Sequence, residues 1–273
     1  MIRVLSFIRT QKRKWKKSLK AFLHSEKYIH YSFRLRESLL PLLFPRHCPA
    51  CGKLLPGGVL ICDKCRRSLP WIKEPACFQC GKPVGSPEQE LCYDCRQFPK
   101  SFSRGISLLL YNEQTRPIMT NFKYHNRRIL SGYFAGEICQ RYHDRLLTWK
   151  PGLIIPIPVH RKKLKRRGYN QAALLARDLS ALTKIPYCSD LLFRNTDTAP
   201  QKNLSPQARL NNLKDAFSMN PDYRYLPTTC PDVLLIDDIY TTGATMETCS
   251  RVLLKAGFRR IYVCTVCAGV SRD

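Results

Sequence analysis

Two groups of residues in this chain have types and spacings suited to chemistry. The first is the stretch VLLIDDIYTTGAT, residues 233–245. Its apolar run suits a central parallel strand, and ligands of such sheets bind beyond the carboxyl ends of the strands. Asp237 and Asp238 fall at that end. Thr241, Thr242, Gly243, Ala244 and Thr245 follow as a short turn leading into a helical pattern. Carboxylates accept hydrogen bonds from hydroxyls, whereas the N–H groups of a turn that opens a helix donate to an anion. A sugar phosphate presents both halves.

The second group is eight cysteines in four C-x-x-C pairs: Cys48/Cys51, Cys62/Cys65, Cys77/Cys80 and Cys92/Cys95. The pairs are separated by ten, eleven and eleven residues, and the residues after them (GKLL, RRSL, then GKPV, RQFP) form a two-fold internal repeat. C-x-x-C-G-K is the pattern of a zinc knuckle, in which Gly allows a left-handed turn that aims sulfurs and N–H groups at one metal. Two zinc sites of four cysteines each account for all eight sulfurs, with an iron–sulfur cluster as the alternative. Closed shells of four thiolates are structural, since they leave no open position for catalysis. The spacing is compatible with consecutive and with interleaved pairing. Cys264 and Cys267 lie in a β-branched run without a Gly turn and read as core; Cys139, Cys188, Cys230 and Cys249 are isolated and read as packing residues.

The elements that must position these groups follow from the patterning of the 273 residues. Apolar content of 44% supports a sizeable core. From about residue 104, strands and helices alternate. Residues 105–111, 153–159, 233–238 and 260–270 read as strands; 118–124, 129–147, 170–183 and 244–257 read as helices. This alternation predicts an α/β fold with a mostly parallel sheet. Three domains are expected: a basic leader over 1–38, a cysteine-rich module over 39–100, and an α/β domain over 101–273. The leader holds eleven Lys/Arg and two Glu, interleaved with Trp15, Phe22 and Tyr28. It suits either an amphipathic helix on a membrane or nucleic acid, or a solvated tail. SLLPLLFPRH (38–47) reads as a docking segment.

Net charge is +26 with a pI near 9.8, which favours polyanionic partners. The densest run is Arg161, Lys162, Lys163, Lys165, Arg166 and Arg167, read as a basic loop after the strand at 153–159. Gly168, Tyr169, Asn170 and Gln171 then open a helix. Such a loop suits a pyrophosphate or a nucleic-acid backbone. No stretch approaches the roughly 20 apolar residues of a membrane span, and the opening residues carry no secretory pattern. A cytoplasmic location is therefore expected, with contact at the inner face of the membrane as a further option.

VLLIDDIYTTGAT resembles the 5-phosphoribosyl-1-pyrophosphate (PRPP) signature of type I phosphoribosyltransferases. Together with the cysteine module, LFPRHCPACG, IPIPVHRKKLKRRGYNQ and TAPQKNLSPQARLNNLKDAF, it makes residues 39–270 resemble the ComF family of late-competence proteins. The resemblance implies a double zinc ribbon before a type I phosphoribosyltransferase-like sheet. It implies that Asp237 and Asp238 contact the ribose hydroxyls, that residues 241–245 hold the 5-phosphate, and that Mg²⁺ accompanies PRPP. It makes Arg161, Arg167, Gly168, Asn170 and Gln171 part of a pyrophosphate loop. It makes 194–217 a hood carrying Thr198, Gln201, Arg209 and Asn212, with Arg209 reaching pyrophosphate and Lys123 a further basic position. Two functions are compatible with it. One is a PRPP- and Mg²⁺-dependent transferase acting in natural transformation; the other is a non-catalytic adaptor that binds single-stranded DNA or DNA-uptake proteins.

Elemental analysis of the purified chain is expected to return about two zinc ions, and chelation to unfold residues 48–95, because structural zinc supplies folding free energy. A zinc-free protein overturns the metal assignment.

Overall fold

The computed structural model describes residues 46–56, 58–125, 127–196 and 216–270. The basic leader, most of the 38–47 segment, and the hood positions Thr198, Gln201, Arg209 and Asn212 lie outside them. The chain divides into two compact units, Met1–Cys62 and Asp63–Asp273.

In the first unit, β1 (Arg46–His47) pairs antiparallel with β2 (Leu54–Leu55) around a cysteine knuckle. Gly52 closes the knuckle at φ +74°, and its N–H donates to the Cys48 carbonyl at 2.9 Å.

The second unit opens with two short helices, α1 (Asp63–Ser68) and α2 (Tyr93–Gln97), on either side of the Cys77–Cys80 knuckle. The α/β part follows: β3 (Arg104–Leu110), α3 (Arg116–Tyr124), α4 (Leu130–Trp149), β4 (Leu153–Pro156), α5 (Arg161–Arg167), α6 (Gln171–Thr183), the antiparallel pair β5 (Leu192–Arg194) and β6 (Phe217–Met219), α7 (Leu226–Thr229), β7 (Asp232–Tyr240), α8 (Ala244–Lys255) and β8 (Arg260–Ala268). Four strands make one all-parallel sheet in the order β3-β8-β7-β4. The expected α/β fold with a parallel sheet is thus observed. β4, β7 and β8 are buried almost throughout, as strands covered on both faces must be. Helix α6 buries Ala172, Leu175, Ala176 and Leu179 and packs against α4, β4 and β7. Cys264 and Cys267 are fully buried in β8, as core residues.

Residues 161–167 form a helix, where the sequence reading expected a loop. The His160 side chain accepts from Lys162 N–H at 3.3 Å and caps the start. Gly168, at φ +76°, closes the end with its N–H on Leu164 O at 2.7 Å. Between these caps lies no Gly or Pro to interrupt the helix.

Both edges of the sheet are covered. At β4, Ile154 N–H donates to Pro186 O (2.8 Å) and Cys188 N–H to Ile154 O (3.0 Å). At β3 the partner is the second ribbon: Ile72 N–H donates to Leu108 O (3.1 Å), Leu110 N–H to Pro70 O (2.9 Å) and Gly105 N–H to Phe78 O (3.1 Å). The ribbon backbone sits so close that a Cβ on Gly81 would lie 2.6 Å from Ser107 N and 2.7 Å from Ile106 Cα. Those neighbours are backbone and cannot rotate away.

Gly81→Ala is therefore expected to destabilise the second unit by at least about 2 kcal/mol in denaturant unfolding of zinc-loaded protein, strain and overlap adding. Gly52→Ala, at a similar φ but with nothing within 4 Å of its Cβ, is expected to cost only about 1 kcal/mol. Equal effects from the two substitutions would contradict the close approach.

Candidate functional site

β7 outruns its neighbour. β4 ends its pairing at Pro156 opposite Ile236, whereas β7 stays paired with β8 as far as Tyr240. Strand β7 thus continues through both aspartates, two residues beyond the expected end at 238, and both lie past the point where its pairing with β4 ends.

The two carboxylates are not equivalent. Asp238 pairs with Lys123 of α3, Oδ2 to Nζ at 3.1 Å. Asp237 Oδ1 accepts from the Asp238 N–H at 2.8 Å. Burial, and then the Asp238 charge, push the Asp237 carboxyl up to about 7. Burial alone would lower the Lys123 ammonium, but Asp238 and Asp237 outweigh it and raise it above the ordinary value. The pair and its lysine form a charge-coupled group able to accept from hydroxyls.

The chain then turns. Gly243, at φ +76°, is the N-cap of α8 and offers no side chain to the first N–H groups of that helix. Unpaired N–H groups at a helix start suit an anion, and Thr241, Thr242 and Thr245 lie beside them in sequence. Only glycine fits here, since a Cβ on Gly243 would overlap the Tyr240 hydroxyl. Glu247, buried in the first turn of α8, accepts from Ser101 N–H at 2.6 Å and Ser101 Oγ at 2.7 Å, which fixes the helix to the segment before β3.

The residues of the basic run divide between two tasks. Arg167 donates to Tyr124 Oη at 2.9 Å and to Gln171 Oε1 at 3.2 Å, and its guanidinium lies over the exposed Tyr124 ring, as does that of Arg166. Asn170 caps α6 through Ala172 N–H and donates to Ile157 O at 2.9 Å, which ties the helix to the end of β4. Gln171, buried, donates to Lys123 O at 3.2 Å. The side chains of Asn170 and Gln171 therefore frame the site. Arg161, with Gly168 closing its helix, lines a cleft of about 710 Å³ shared with Val159, His160, Asn170, Phe193 and Arg194. Arg194 is a residue the sequence reading did not single out; its charge acts on Asp237. Among 46 Lys and Arg it carried no distinguishing pattern. Arg209 lies outside the described residues.

The cysteines combine consecutively. The sulfurs of Cys48, Cys51, Cys62 and Cys65 lie within 4.8 Å of one another, and so do those of Cys77, Cys80, Cys92 and Cys95. Four sulfurs at this spacing fit a tetrahedral zinc. At Cys48, burial raises the thiol, but the backbone N–H groups of Cys62, Cys51 and Ala50 more than offset it and bring it to about 7. The second tetrad is fully buried and adjoins a feature the sequence did not reveal: Lys82, 1% exposed, paired with Asp94 at 2.6 Å.

Comparison with known proteins agrees with this layout. The double zinc ribbon domain model matches residues 39–96. The chain is 32% identical over 225 residues to competence protein F of Haemophilus influenzae, covering 80% of this chain and 93% of that protein. It is 30% identical over 230 residues to the DNA utilization protein YhgH of Escherichia coli K12, covering 83% and 98%. It is 25% identical over 210 residues to competence protein ComFC of Bacillus subtilis, covering 75% and 82%. Fold and cysteine sites define a double-zinc-ribbon protein built on a parallel α/β sheet. The chain belongs to the ComF family of competence proteins.

Asp237 makes stability depend on pH. Its carboxyl titrates near 7 when folded and near 3.8 ordinarily, so between these values the folded chain keeps a proton that the unfolded chain releases. Stability falls as pH rises through that window, and the loss is complete above it. Asp237→Asn is expected to exceed the parent in stability near pH 8 by on the order of 2 kcal/mol. The gap should narrow as pH falls toward 4. Denaturant titrations across that range read both slopes; parallel slopes contradict the raised carboxyl.

Proposed function

We propose that this chain binds PRPP at the carboxyl end of β7, and that it serves the handling of incoming single-stranded DNA in natural transformation, on the cytoplasmic side of the membrane. The observation that supports this best is the joint placement, within residues 237–245, of a carboxylate pair and a helix N-terminus without a side-chain cap. Asp237 and Asp238 accept from the ribose hydroxyls, and residues 241–245 hold the 5-phosphate. Lys123 offsets the Asp238 charge, so a polyanionic ligand does not meet two bare carboxylates. Arg161 and Arg167 on α5 face the pyrophosphate, with Arg209 assigned there by resemblance. The carboxylate oxygens of Asp237 and Asp238 are the kind of donor that would suit Mg²⁺ accompanying PRPP, and the ion would supply charge neutralisation to the pyrophosphate. As a transferase, the site lets pyrophosphate leave the anomeric carbon with the electrons of the broken C–O bond, through an oxocarbenium-like transition state, while an acceptor that no motif of the sequence specifies bonds to that carbon.

The DNA side of the reading is supported by relatives named competence protein F and DNA utilization protein. It is also supported by α5, where Arg166 and Arg167 stack on an exposed tyrosine. Cations interleaved with aromatic rings bind single strands with little sequence preference. That arrangement also favours a second reading, in which the chain is an adaptor for DNA or partner proteins and PRPP is a regulatory ligand. Among the described residues no helix is long and apolar enough to cross a membrane.

Calorimetric titration tests the first claim. PRPP with Mg²⁺ is expected to bind, and Asp237→Ala or Asp238→Ala to weaken it about ten- to a hundred-fold, since a hydrogen bond to a charged group contributes roughly 1.5–3 kcal/mol. Unchanged affinity in both folded variants overturns the site. If α5 is the DNA contact, PRPP and single-stranded DNA compete; release of pyrophosphate with a candidate acceptor separates the transferase from the adaptor.

A further inference from the structure

Tyr240 follows the aspartates closely, yet its side chain points away from solvent. The residue is 2% exposed, and its hydroxyl has no hydrogen-bond partner among the described residues. Each side of the ring meets a different part of the structure. The Phe102 ring meets it edge-on, at 6.4 Å between centroids and 89° between planes. Lys82 Nζ lies 5.6 Å from its centroid, held by Asp94. Cys77, Cys80, Cys92 and Cys95 belong to the same buried cluster. Its hydroxyl end abuts Gly243, at the centre of the phosphate turn, so closely that no Cβ fits between them. The ring is thus a spacer between the second cysteine tetrad and the turn.

A second connection runs beneath the carboxylates. The Ser107 hydroxyl donates to Cys80 O at 3.1 Å, and so accepts from the Thr265 hydroxyl at 2.8 Å. Thr265 is the β8 residue in register with Asp237. The knuckle at residues 77–82 thus reaches both neighbourhoods: its Cys80 carbonyl is linked to the β8 residue in register with Asp237, and its Lys82 side chain lies over the ring that abuts Gly243.

We propose that Tyr240 is a positioning residue through which the second four-cysteine site sets the shape of the phosphate turn, so that the ligand affinity of residues 241–245 depends on metal that no ligand atom touches. Metal at Cys77, Cys80, Cys92 and Cys95 fixes the knuckle. The knuckle places Lys82 and the wall behind the Tyr240 ring. The ring then holds Gly243 in its left-handed conformation, with the α8 N–H groups aimed at one point. Such coupling is reciprocal: a ligand that orders the turn tightens the metal site by the same factor. The inference rests on the PRPP reading for its ligand, but not for the coupling itself.

Two readouts on the zinc-loaded full chain separate these. The first is hydrogen exchange at the amides of 241–245, which needs no ligand. Tyr240→Leu, which removes the ring, is expected to speed exchange there about tenfold or more, while zinc content stays at that of the parent. Tyr240→Phe, which keeps the ring and removes only the hydroxyl contact, is expected to have a smaller effect in the same direction. The second readout is PRPP affinity by calorimetry, expected to fall about tenfold in Tyr240→Leu, within the usual range of coupling between sites. Loss of zinc from Tyr240→Leu overturns the relay in this form, because the substitution then acts by opening the ribbon core and not through the turn; Tyr240→Phe, with zinc retained and exchange at 241–245 at the parent rate, overturns the hydroxyl contact as part of it. Parent-like exchange and parent-like PRPP affinity in Tyr240→Leu overturn it. Faster exchange in a protein whose parent binds no PRPP upholds the relay and overturns only the PRPP reading.

Discussion

The outer strand of a parallel sheet carries a row of backbone N–H and C=O groups that must be paired or wetted. At β3 that row is paired by the ribbon at 70–72 and 78–81, and much of the second unit depends on this join. It requires glycine at 81 and 105, where the two backbones touch. It brings the tetrad of Cys77, Cys80, Cys92 and Cys95 into the core, beside Phe102 and Tyr240, where a cysteine module would otherwise sit at the surface. It also places Ser101 within reach of Glu247, so the first turn of α8 is anchored to the strand's entry. The candidate site therefore stands on a metal module, although its own residues include no sulfur.

Electrostatics within the site follow from this burial. One carboxylate, Asp238, has a cation at contact distance; the other, Asp237, is governed first by its burial and then by the Asp238 charge. Two adjacent acids in a strongly basic chain are in this way held with one charge offset and the other raised toward neutral pH.

Much of this was legible in the sequence. The strands were readable because a parallel strand buried on both faces must be continuously apolar, and 153–156, 233–236 and 261–268 largely are. The zinc ligands are readable because four C-x-x-C pairs, two of them followed by Gly, have few other uses. Tetrad pairing was not readable, since gaps of ten and eleven residues suit either connection. The helix at 161–167 is masked by its own charge: six cations suggest an anion-binding loop, and the decisive signals are the caps at His160 and Gly168. The burial of the Lys82–Asp94 pair is not legible, because it depends on where the ribbon docks. The role of Tyr240 was hidden for a related reason. Its contact with Gly243 exists only once the turn has its left-handed residue, and local pattern does not report which side of a turn a ring will fill.

The two cysteine tetrads repeat in sequence but differ in solvent access. Cys51 is exposed and Cys62 and Cys65 are half-buried, whereas Cys77, Cys80, Cys92 and Cys95 are all 1% exposed or less. A competing thiol, chelator or oxidant can attack the first set from the folded state, because thiolate reactivity follows access. At the second set the same reagents must wait for an opening of the surrounding core, which is governed by local unfolding rather than by encounter. Two sites with the same ligands thus exchange metal on separate clocks. The faster is set by the surroundings of the protein, the slower by its own stability.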